Sequence, residues 1–111
     1  YNALVDMYRN PNVGRKTVLT IGDGLFAGNT WDSPVMKMRT FGDKVPNSLF
    51  FATDPVAIDS VMYDFLAAEW SLPTGADNYL RLASSAGLGV FEHGNPWGIG
   101  YSLIDYRRTE M

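Results

Sequence analysis

Residues 48–69, SLFFATDPVAIDSVMYDFLAAE, decide the reading of the fold. The stretch opens with an apolar run, Ser48-Leu49-Phe50-Phe51-Ala52-Thr53, of strand length and composition. A nearly continuous apolar strand fits a position covered on both faces, as in a parallel sheet. Asp54-Pro55 then starts a helix, with Asp at the N-cap and Pro at the first helical position, the residues preferred at those places. Ile58, Val61, Met62, Phe65 and Leu66 recur at helical spacing and make one apolar face. Ser60, Tyr63, Asp64 and Ala67 lie away from that face in this reading.

Upstream, Thr17-Val18-Leu19-Thr20-Ile21-Gly22 reads as a buried strand, and Ala3–Arg9 as a turn or two of helix closed by Asn10-Pro11-Asn12. Residues 23–47 hold Gly24, Gly28, Pro34, Gly42 and Pro46 with no sustained period, a long loop of the kind that often carries function. Downstream, Ser71-Leu72-Pro73 ends the first long helix, and Thr74 with Asp77 resembles a capping box opening a second. Its inner stripe is Ala76, Tyr79, Leu80 and Ala83, and Gly87 and Gly89 close it. Val90-Phe91-Glu92 and Tyr101–Tyr106 are expected as short strands, the latter at an edge.

This order of elements predicts an α/β domain with a small, mostly parallel sheet of three to four strands and packed helices. Two strong helices are few for covering both faces. That points to a larger layered domain completed by a second copy or by an amino-terminal half, and the start at Tyr1 without an initiator Met agrees with a fragment.

Composition narrows the classes. The 111 residues suit one domain, and 46% apolar content suffices for a core. A net charge of −3 argues against a nucleic-acid partner. No run of 18 apolar residues exists, so no membrane span is expected. The chain has no Cys, so it holds no disulfide, thiolate zinc site or iron–sulfur cluster. Compartment is left open.

In open parallel sheets, ligands bind beyond the carboxyl ends of the strands. Asp23-Gly24 follows the first strand and Asp54 the second, so a shared rim is expected to carry both. The loop with Asn29, Trp31 and Asp32 leaves the same rim. This makes Asp23, Gly24, Asn29, Trp31 and Asp54 candidate ligand-binding residues, with Asp23 and Asp32 as candidate oxygen ligands for a divalent cation. The competing reading makes Asp54 a helix cap and Asp23-Gly24 a tight turn. Asp59 reads as a boundary residue with a hydrogen-bond partner, His93 as a surface residue in a Gly-rich turn rather than a catalytic acid–base group, and Trp31 and Trp97 as plugs at the core rim rather than stacking platforms for a ligand. Gly22-Asp23-Gly24-Leu25-Phe26-Ala27-Gly28 only loosely resembles a phosphate loop, since no Lys-Ser/Thr follows.

The segments TVLTIGDGLFAGN, NSLFFATDPVAIDSVMYDFL and ADNYLRLASSAGLGVFEH together resemble the family called domain of unknown function 362, in its carboxyl half. The matching features are Asp23-Gly24, Asp54-Pro55-Val56-Ala57, Asp59 and Gly87-Leu88-Gly89, spread over residues 17–106. The resemblance implies an uncharacterised domain longer than this chain, sometimes joined to iron–sulfur segments that this Cys-free chain lacks. Two functions are compatible with these residues. One is an enzyme-like domain binding a metal or small ligand at the strand ends; the other is a non-catalytic binding or assembly module.

Overall fold

The architecture follows from how the chain leaves β1 (Thr20–Gly24) and returns as β2 (Ser48–Ala52) in this computed structural model, which describes residues 2–111. A parallel neighbour would need a crossover connection, usually a helix. The connecting residues 25–47 contain only a single 3-10 turn at Arg39–Phe41. They fold back on themselves instead. Ala27 bridges Met36, Met38 bridges Lys44, and the Asn47 amide donates to the Leu25 carbonyl at 3.1 Å. The chain therefore re-enters beside β1 in the opposite direction, with Thr20 opposite Ala52 and Gly24 opposite Ser48. The expected three- to four-stranded, mostly parallel sheet is thus corrected. Among the described residues the sheet has two strands, antiparallel, accompanied by three α-helices.

α2 (Pro55–Glu69) is the axis of the fold. It packs under both strands and against α3 (Asn78–Ser85), while α1 (Ala3–Arg9) packs on α3. Burial on α2 extends beyond the anticipated stripe. Val56, Ala57, Ile58, Val61 and Phe65 are buried, but so are Ser60 and Asp64, which the helical spacing had placed outward. Ser60 is tolerated because its hydroxyl donates to the Val56 carbonyl at 2.7 Å.

Two apolar clusters result. Val5, Val56, Leu80 and Ala83 join α1, α2 and α3. Phe41, Phe50, Phe65 and Trp97 stack edge-on or tilted, with centroids 4.7–5.6 Å apart, beside the other half of α2. Gly22 and Gly24 lie on the inner face of β1, tight against side chains. A Cβ at Gly24 would stand 2.6 Å from the Phe50 ring, and one at Gly22 would collide with Met62 of α2.

Further expectations are corrected. α3 begins at Asn78 rather than near Thr74, and Asp77 makes no side-chain cap. Residues 90–92 and 101–106 form no strands. The reason is local: the Val90 amide goes to Asp54, and the amides of Ser102, Leu103 and Ile104 go to Glu92. Donors spent on carboxylates cannot build a ladder. The carboxyl-terminal segment is instead a strap lying over α2. Among the described residues no helix is long and apolar enough to cross a membrane.

Candidate functional site

The register decides first what becomes of the expected rim. Asp23 sits opposite Leu49, whereas Asp54 lies two residues beyond Ala52, at the far end of the ladder. The intervening pairs alone part the two carboxylates by roughly 10 Å or more. Asp23 and Asp54 therefore emerge at opposite ends of the hairpin and share no edge.

Asp54 is an anchor of backbone. One carboxylate oxygen accepts the amides of Val56 and Ala57 at 2.8 and 2.9 Å, satisfying the free N–H groups of the first turn of α2. The other oxygen accepts the Val90 amide at 2.8 Å. Gly89 makes this approach possible, since a Cβ there would overlap the Asp54 carboxylate. Gly87 ends α3 in the left-handed conformation, with φ at 73°. The Asp-Pro-Val-Ala and Gly-Leu-Gly stretches are therefore one physical unit, a helix start and a helix end tied through a single carboxylate.

Asp23 makes only a local bond, accepting the Leu25 amide at 2.9 Å, as an Asp-Gly turn would. In the loop, Asp32 accepts the Thr30 hydroxyl at 2.8 Å. Trp31 is 97% exposed, and Asn29 is exposed as well. Among the described residues no group of three or more His, Asp or Glu side chains gathers in metal-binding geometry. Asp59 has the partner expected of it, the Tyr79 hydroxyl at 3.2 Å. Burial pushes the Asp59 carboxyl up, against the opposing effect of that hydroxyl, and burial beside Asp59 also raises Tyr79.

The densest polar constellation lies away from the expected rim. It centres on His93, whose Nδ1 stands 2.8 Å from Asp64 Oδ1 and whose Nε2 stands 3.1 Å from Asp77 Oδ2. Asp64 Oδ2 also accepts the Gly94 amide at 2.8 Å and the Tyr101 hydroxyl at 2.9 Å. Asp77 receives both Nε and a terminal nitrogen of Arg81, at 2.9 and 2.7 Å. Partial burial works against charge on His93, but hydrogen bonding to Asp64 and Asp77 outweighs it and holds the imidazole above its ordinary value. The His93 contact leads in holding Asp77 below the usual carboxylate range, with Arg81 adding to it. Burial and the bond to Asp64 raise the Tyr101 hydroxyl.

Chemically this cluster is a clamp. A general base needs a free lone pair within reach of a substrate proton. Both nitrogens of His93 face carboxylates, so neither offers one. Asp64 accepts three donors and belongs to the buried face of α2. The available signal in the sequence was spacing: Ala57, Ser60 and Asp64 follow at three and four residues, a second stripe of small and polar side chains beside the apolar one.

Two further carboxylates act alike. Glu69 accepts the amides of Arg39 and Thr40 at 2.7 and 3.0 Å, fixing the 3-10 turn of the long loop to the end of α2. Burial would raise it, yet those amides hold it below its usual value. Glu92 collects three strap amides and is lowered by them in the same way, again against burial.

Fold and site together define a mixed α/β module, a helix-backed hairpin whose acidic residues bind its own backbone. Comparison with protein-family models, with curated proteins and with solved structures finds no match for this chain.

Proposed function

We propose that the chain is a non-catalytic assembly module that pairs with a second copy of itself through the outward face of its hairpin. One observation carries this reading. The residues of β1 and β2 that point away from α2 include Ile21, Leu49 and Phe51, each more than half exposed, with Leu19 continuing the row. Contiguous apolar surface on one face of a sheet marks an interaction site. β2 also carries no charge and no Pro, the devices that keep sheets from associating.

A second copy is the occupant that fits. In a two-fold contact the same patch meets itself, so a patch must be free of opposed like charges. Ile21, Leu49 and Phe51 meet that condition, and the one charge on this face, Asp23, stands at its end. The ligand-site reading at Asp23, Gly24, Asn29, Trp31 and Asp54, with Asp23 and Asp32 on a cation, required a shared edge. The antiparallel register removes the geometry that motivated it. The likeness to the domain of unknown function 362 family stays part of the proposal. The mutual contacts of Asp54, Val56 and Gly89 support treating its motifs as structural.

Light scattering on size-fractionated protein tests the reading. The expected result is a dimer that Phe51→Lys converts to a monomer with unchanged circular dichroism. A wild-type chain that remains monomeric at the concentrations used for NMR overturns it.

A further inference from the structure

The strap, residues 92–106, crosses α2 and is fastened at one end by His93. Its other attachments are the Gly94 amide and Tyr101 hydroxyl on Asp64, and Trp97 against Phe41 and Phe65. Arg108 lies over the Trp97 ring, 4.7 Å from its centroid. Glu92 shapes the strap by holding its amides at 102–104.

An ionised carboxylate only accepts hydrogen bonds. For His93 to bond both Asp64 and Asp77, both ring nitrogens must carry protons, which only the imidazolium provides. A neutral ring has one N–H, and its bare nitrogen would face a carboxylate oxygen about 3 Å away, lone pair against lone pair. The groups that face the ring are Asp64 and Tyr63 from α2, Asp77 from the turn before α3, and Phe91 from the strap side, with Tyr101 bonded to the same Asp64. Arg81 of α3 reaches the same Asp77 oxygen and, among the described residues, is the one cation beside the cluster. The His93 side chain is 42% exposed, so solvent protons have access.

We propose that His93 is a proton-operated latch, docking the strap onto α2 and α3 as the imidazolium and loosening it when it loses its proton. The sign follows from linkage. With the folded value raised, the contribution is complete below the unfolded His value, near 6.5, and disappears as pH rises through the folded one. The strap thus tightens on acidification, the reverse of a fold stabilised only by depressed carboxylates.

The intact chain tests this in two ways. Nitrogen NMR of the single imidazole is expected to show both His93 nitrogens protonated near pH 6, with a midpoint above that of an unstructured His. Amide exchange, corrected for base catalysis, is expected to show protection at Gly94 falling through that midpoint, by about tenfold for each unit of elevation. His93→Gln is expected to abolish the step. A midpoint at or below the ordinary His value, protection at Gly94 that does not change across it, or a step that survives His93→Gln would each overturn the latch. The wild-type titration decides the matter even if the variant fails to fold.

Discussion

Asp23, near the end of β1, and Asp54, just past β2, are both acids at strand ends, yet the molecule treats them differently. Asp23 holds one amide two residues away. Asp54 holds three, one of them 36 residues away. The same contrast divides the protein. Around α2, Asp54, Asp64, Glu69 and Asp77 join segments remote in sequence. The hairpin end and loop 25–35 are held by local bonds and leave Phe26, Trp31 and Val35 largely exposed. A carboxylate's influence on stability thus depends on how much distant chain it closes and how dry its surroundings are.

Substitutions at four positions, each followed by urea denaturation, sharpen that contrast. The largest effect is expected at Asp64, where Asp64→Ala removes a buried acceptor and strands the Tyr101 hydroxyl, the Gly94 amide and His93. A loss of about 3 kcal/mol is expected, in the range for breaking buried charged hydrogen bonds. A loss under about 1 kcal/mol would show that water reaches these donors and that the clamp contributes little. Asp54→Ala follows, with about 2 kcal/mol expected, from the lost cap and the freed Val90 amide. Asp54→Asn keeps a capping oxygen and should recover most of the cap.

Gly89→Ala comes third. The added methyl would overlap the Asp54 carboxylate and the Val56 side chain, so chain or cap must shift. About 1–2 kcal/mol is expected, the usual cost of overpacking. In the Asp54→Ala background the penalty should shrink, because the carboxylate it meets is gone. Additive losses would separate Gly89 from Asp54 and undo the claim that the two motifs form one unit.

The local elements were the most legible part of the chain. α2 begins at Pro55 behind its Asp54 cap and ends at Glu69, as the Asp-Pro pair and the apolar period indicate. α1 and the core of β2 are likewise where their residues put them. Strand direction is not legible in the sequence, because apolar Leu49-Phe50-Phe51 suits either a doubly covered parallel strand or a hairpin with one bare face. The warning lay in residues 25–47, which offer no crossover helix. The strap has the period of a strand, but that period says nothing of where amides donate, and Glu92 takes three of them. The site was the least legible. Asp54 as a cap was readable from its neighbours, but the meeting of Asp64, Asp77, His93 and Tyr101 depends on how α2, α3 and the strap pack, and on no local pattern.

The smallest effect belongs to Asp23. If strand-end acids were alike, Asp23→Ala would cost what Asp54→Ala costs. Its carboxylate instead accepts one amide across a turn whose donor, Leu25, can turn to water. Exposed turn contacts of this kind are worth within about 0.5 kcal/mol. The substitution also removes the single charge from the outward face of β1, beside Leu49. Association should therefore strengthen while the folding midpoint barely moves, a pair of outcomes that light scattering and denaturation read separately. Equal stability losses at the two aspartates would erase the distinction between closing a turn and closing the fold. Weaker association of Asp23→Ala would mean that the hairpin face needs its acid, against pairing through apolar contact alone.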